Sequence, residues 1–145
     1  MKVQAYHDLK KRHEQELSEF PIAYAFNNEQ MNEALEKLGA ELSECCTVLG
    51  IGDIVKKTDA PLLIAMLQRH VKDTHELLMS DKELAEEIFT YEMDNHEYAI
   101  NYDGDADILA CLNLDWDLIK TMDLEQAYEN AKRKHFKHME EHGVI

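Results

Sequence analysis

Histidines and carboxylates set one helical turn apart are the side chains best equipped for chemistry in this sequence. Glu92 and His96 stand four residues apart, and His70 lies on the apolar stripe Leu63, Met66, Thr74 and Leu77. Folding a helix over 60–79 back on a helix over 82–95 about Ser80 brings the level of His70 near Tyr91 and Glu92, with Arg69 and Asn95 close by. A converging His70, Glu92 and His96 set would hold a divalent metal ion and support a small metal-dependent enzyme. The same groups would also serve as a general acid–base pair. The simpler reading is a buried histidine held by a carboxylate that fixes the hairpin. Buried polar groups need such partners, and ion-pair networks imitate active sites.

Other groupings carry less. His135, His138 and His142 share one face of the last helix and continue the stripe Leu124, Tyr128 and Ala131. Imidazoles three and four apart can chelate zinc or nickel, but the sequence presents no obvious carboxylate or cysteine to them. Their simpler role is to complement the negative end of the helix dipole. Asp103, Asp105 and Asp107 resemble the start of a calcium loop, yet Ile108 and Leu114 occupy the positions that require Gly and Glu. Gly50-Ile51-Gly52 lacks the third glycine of a dinucleotide fingerprint and reads as a tight turn. The three cysteines, Cys45, Cys46 and Cys111, form no C-x-x-C and read as reduced thiols. Cys111 has acidic neighbours, which disfavour a thiolate. No G-x-S-x-G occurs, so nucleophilic catalysis has little support, and no cofactor is expected.

These side chains require helices to place them. Val3, Tyr6, Leu9, His13 and Leu17 recur at helical spacing over 3–19. Ile22, Tyr24 and Phe26 alternate as a strand would. Asn27 and Gln30 open a second helix that Gly39 stops, with Phe26 and Met31 in the hydrophobic-staple positions. Residues 46–49 and 53–57 suit a hairpin about Gly50-Ile51-Gly52. Asp59 caps a third helix, and Ser80-Asp81-Lys82-Glu83 is a capping box for a fourth. Tyr98, Ile100 and Tyr102 alternate as a third strand. A short helix to about Leu112 follows, then a turn near Asp115, then a last helix capped by Asp123. The expectation is a mainly α (α+β) fold in one acidic domain. It would have five to six helices, a helical hairpin and a small sheet of two to three short strands.

The chain has 145 residues and a net charge of −15. From Asp73 to Glu129 there are 17 acids against Lys82 and Lys120 alone; the remaining 13 acids and 13 bases cancel. A field this negative repels nucleic acid and anionic membranes and favours a basic partner. No apolar run approaches a membrane span, and the polar start lacks an export signal, so the sequence reads as cytoplasmic.

Several stretches resemble a family of small proteins of unknown function associated with gut bacteria, their phages and mobile elements. They are Phe20-Pro21-Ile22-Ala23-Tyr24-Ala25-Phe26-Asn27-Asn28-Glu29-Gln30, Gly50-Ile51-Gly52 with Lys57 and Asp59, Arg69-His70, and Phe89 with Tyr91-Glu92 and Asn95-His96-Glu97-Tyr98. The resemblance runs from residue 5 to about 110, with the last helix peculiar to this chain. It implies a small accessory protein and transfers no activity.

Three functions follow as expectations. The first is a non-enzymatic inhibitor whose carboxylates imitate phosphates on a basic nucleic-acid-binding surface, such as that of a nuclease; in a mobile-element setting it would be anti-CRISPR-like. Its docking acids would be Asp81, Glu83, Glu86, Glu87, Asp94, Glu97, Asp103, Asp105, Asp107, Asp115 and Asp117. Acidity for solubility alone is the competing explanation. The second is a homo-oligomeric accessory protein that pairs the apolar stripes of its first and last helices between chains. The third is the metal-dependent enzyme on His70, Glu92 and His96.

Overall fold

The computed structural model describes residues 3–96 and 104–143. Among them, seven α-helices and three short strands follow in order. They are α1 (Gln4–Glu19), β1 (Ala23–Tyr24), α2 (Asn28–Leu38), β2 (Cys45–Cys46), β3 (Asp53–Lys56), α3 (Ala60–Ser80), α4 (Lys82–Asn95), α5 (Gly104–Cys111), α6 (Trp116–Thr121) and α7 (Glu125–Glu141). The fold is mainly α with a small antiparallel sheet. The chain divides into two compact units, Lys10–His70 and the described residues on either side of it. The larger apolar cluster lies in the flanking residues, and two smaller ones lie in Lys10–His70.

In Lys10–His70, β3 is the central strand, flanked by β1 and β2. Ala23 and Ile54 pack with Ala34 and Leu38 of α2. Ile22, Val55 and Leu63 form a second cluster with Leu17 and Met66 against it. α2 starts as its sequence dictates: the Asn27 side chain accepts from the Gln30 amide at 2.8 Å. Strand β2 is shorter than the alternation predicts. Residues 47–51 leave the strand because they turn inward onto Asp53, whose carboxylate accepts from Thr47 Oγ1 (2.7 Å) and the amides of Val48, Leu49 and Ile51. Burial works to raise the Asp53 pKa, but these four donors outweigh it and hold the group well below the usual carboxylate range. Gly52 adopts a positive φ of 87°, and a Cβ there would meet the Phe26 ring at 2.5 Å.

In the other unit, α4 is the core helix. It buries Leu84, Ala85, Ile88, Phe89 and Met93 against Ile108, Leu112, Ile119, Leu124 and Tyr128. The Phe89 and Tyr128 rings meet edge to face at 5.2 Å, a geometry worth about 1 kcal/mol beyond burial. α3 and α4 form close to the expected bounds and are joined by Asp81 alone. The main packing partner of α4 is α7.

Three local expectations change. Asp81, not Ser80, is the N-cap of α4, accepting from the Glu83 amide at 2.9 Å; Ser80 Oγ instead donates to the Leu77 carbonyl inside α3. The turn near Asp115 is a helix, α6, because the Asp115 carboxylate accepts from the Leu118 amide at 2.8 Å. The last helix starts after Leu124, and Asp123 instead pairs with Lys82 at 2.5 Å. The strand proposed through Tyr98, Ile100 and Tyr102 lies outside the described residues, as do Glu97 and Asp103. Among the described residues no helix is long and apolar enough to cross a membrane.

Candidate functional site

The apolar positions of α4 recur at 85, 88, 89 and 93, and Glu92 falls within that stripe. Helix phase therefore carries a carboxylate into the core, where it is 1% exposed. An uncompensated carboxylate there would be costly. Tyr6 Oη donates to Glu92 Oε1 at 2.8 Å. On the other oxygen, His96 Nε2 lies 3.1 Å and Cys111 Sγ 3.5 Å from Oε2. Burial and the facing Glu92 carboxylate push the Tyr6 pKa far up, so the phenol stays a donor. His96 caps the end of α4 and Cys111 ends α5, and both are exposed at the rim of the buried carboxylate.

His70, the third member of the expected grouping, belongs to the Lys10–His70 unit. The His70 ring stacks on His13, with centroids 3.8 Å apart and planes inclined by 15°. Its Nε2 lies 3.5 Å from Glu16 Oε1, and Arg69 grips the same Glu16 carboxylate with both guanidinium nitrogens. The ligand-type set that does assemble among the described residues is Glu92, His96 and Cys111, with donor atoms all within 4.8 Å of one another.

The α7 histidines also change. A carboxylate is presented to them: Asp94 Oδ1 lies 2.7 Å from His135 Nδ1, and Asp94 Oδ2 lies 3.1 Å from His138 Nδ1. His142 turns away onto the His138 carbonyl. The groove here, about 510 Å³, is lined by Glu87, Asp94 and Glu141 on one side of the charge balance and Lys134, Lys137 and His138 on the other. Within this lining His138 pairs with Asp94, and Lys134 reaches Glu86 beside it.

The acids named for docking divide by what they already hold. Glu86 pairs with Lys134 at 2.7 Å, Asp94 with two histidines, and Asp105 accepts from Tyr128 Oη at 2.5 Å. Asp81 and Asp115 cap helices, and Glu87 is half-buried. Glu83, Asp107 and Asp117 are exposed. Asp117 adjoins Trp116, whose indole is 46% exposed and meets the buried Tyr128 ring edge to face at 5.4 Å. The stripes of the first and last helices are spent inside the chain: Tyr6, Leu9, Tyr128 and Ala131 are all buried in it.

Sequence reasoning missed Tyr6, Cys111 and Asp94. Tyr6 read only as a core position, Cys111 as an inert thiol and Asp94 as a surface charge. Each meets its partner across long stretches of chain, and no local pattern signals that. Neither a curated protein nor a solved structure matches the chain. The sequence from residue 5 to residue 143 does match a family of unknown function, DUF7659. The match runs through α7, which is therefore shared with the family and not peculiar to this chain. The chain belongs to this family of unknown function, DUF7659.

Proposed function

We propose that this chain is a non-enzymatic binding protein that docks an acidic, tryptophan-centred face on a basic surface of a nucleic-acid-binding protein. The observation that carries the reading is Trp116. Its indole is half-exposed, backed by the buried ring of Tyr128, and flanked in sequence by the exposed Asp115 and Asp117. Large aromatic side chains held against a rigid support dominate binding energies at protein interfaces, and surrounding charge sets the partner's sign and the rate of encounter. The unit that carries this face holds 20 acids against 8 bases, a net of −12. A nuclease that grips phosphates with lysine and arginine fits such a face, and inhibition would follow from occupying its nucleic-acid groove.

The test is capture of purified nucleic-acid-binding nucleases at two salt concentrations, with duplex DNA as competitor. Retention at low salt, release at high salt and displacement by DNA are expected. Trp116→Ala and the pair Asp107→Lys with Asp117→Lys should each weaken retention at least tenfold while the circular-dichroism spectrum stays unchanged. Retention that ignores salt and these substitutions sinks the reading.

A further inference from the structure

We propose that Glu92, His96 and Cys111 form a zinc site. The inference is independent of the docking face. The three residues supply a carboxylate, an imidazole and a thiol, the ligand types zinc takes in proteins. The two separations from Glu92 also fit, with all three donor atoms within 4.8 Å of one another. With Zn–O and Zn–N of about 2.0 Å and Zn–S of about 2.3 Å, tetrahedral geometry sets ligand atoms roughly 3.3 Å apart for oxygen and nitrogen and roughly 3.5 Å for oxygen and sulfur. His96 Nε2 and Cys111 Sγ lie 3.1 Å and 3.5 Å from Glu92 Oε2.

The hydrogen bonds around Cys111 point the same way. Its sulfur lies 3.1 Å from the Ile108 carbonyl and 3.5 Å from Glu92 Oε2, two acceptors for one thiol proton. A divalent cation between sulfur and carboxylate takes the place of that shared proton. On binding, Zn²⁺ displaces the thiol proton to solvent, and the sulfur coordinates as thiolate. The acidic surroundings that disfavour a free thiolate do not oppose this, because the ion brings its own positive charge.

The surroundings supply the remaining features of a metal site. Tyr6 holds Glu92 Oε1 at 2.8 Å while His96 and Cys111 both face Oε2, the outer-shell arrangement that orients carboxylate ligands. Glu92 is buried while His96 and Cys111 are exposed, so an ion has a way in. Zinc is normally four-coordinate, and the three residues leave one position for a further ligand.

The experiment uses the full chain, purified without a tag, loaded with Zn²⁺ and desalted, with Co²⁺ as the spectroscopic substitute. One zinc per chain is expected by elemental analysis. Co²⁺ should give tetrahedral d–d bands and a thiolate-to-cobalt charge-transfer band. Cys111→Ser, a change at an exposed position, should abolish that band and lower zinc affinity at least tenfold. The double variant Cys45→Ser with Cys46→Ser should keep both. Circular dichroism confirms that each variant is folded. Substoichiometric zinc in the loaded wild type overturns the proposal. So does a charge-transfer band that survives Cys111→Ser, or cobalt bound without any thiolate band.

Discussion

Glu92 is the residue on which the larger apolar cluster depends most unusually, since it is a carboxylate in the middle of a hydrophobic helix face. Its nearest donor, Tyr6, lies 86 residues away in sequence at 2.8 Å. Replacing Tyr6 by Phe keeps the ring and deletes the donor. The expected cost is about 1–3 kcal/mol, the penalty for leaving a buried acceptor short of a partner. Urea denaturation reads it directly, and a loss below about 0.5 kcal/mol would mean that another donor takes over. The spacing of Glu92 and His96 was legible as a one-turn pair. That Cys111 joins them was not, because it reaches Glu92 only through the packing of α5 on α4.

At the scale of elements, helix bounds follow the sequence closely, and helix starts discriminate between competing caps. Asp115 and Asp123 both look like N-caps in sequence. Only Asp115 places its carboxylate on a helix amide, at 2.8 Å from Leu118 N. Asp123 sits at φ 56° and gives its carboxylate to Lys82, with both side chains largely exposed. Asp115→Ala should therefore cost about 1 kcal/mol, the usual value of a lost cap. Asp123→Asn, which tolerates the left-handed backbone, should cost only about a few tenths, as exposed ion pairs do. Thermal melts of the two variants separate these outcomes, and equal losses would show that the cap assignment is mistaken. One aspartate caps and the other does not because Asp115 is extended at the N-cap position, whereas Asp123 is left-handed and lies one residue before the N-cap Leu124.

At the scale of the molecule, charge and titration divide between the units. Lys10–His70 carries 10 acids and 7 bases, so the acidity resides chiefly in the other unit. In Lys10–His70 the acid-range pH dependence of stability comes first from His70 and then from the carboxylates Glu16 and Asp53, both held low. Burial, then the neighbouring His13, lowers the pKa of His70; Arg69 works the same way, while Glu16 opposes them. Protonation is thus harder folded than unfolded. The contribution is complete above an unfolded pKa of about 6.5 and is lost as pH falls below it. The Arg69 hydrogen bonds hold Glu16 at about 2. That contribution is complete above an unfolded pKa of about 4.3 and disappears as pH falls toward 2. Melting temperature should therefore drop in two stages between neutral pH and strong acid. His13→Phe keeps a ring against His70 and removes a titratable neighbour, so it should shrink the first stage alone. Identical profiles for wild type and variant would refute this account of the stacked pair.

The sequence by itself determined the helical class, the small sheet, most helix bounds, and the location of the excess charge. Each is written in local spacing, capping residues and composition, which act over one or two turns. Only the tertiary structure decided which charges are already spent and which groups meet. Glu86 and Asp94 are consumed by α7, Asp105 by Tyr128, while Trp116 and Asp117 are left at the surface. Cys111 reaches Glu92 although they are 19 residues apart, and Tyr6 reaches it from the start of the chain. Those contacts depend on the rotation and packing of whole helices against one another, a property no local pattern encodes.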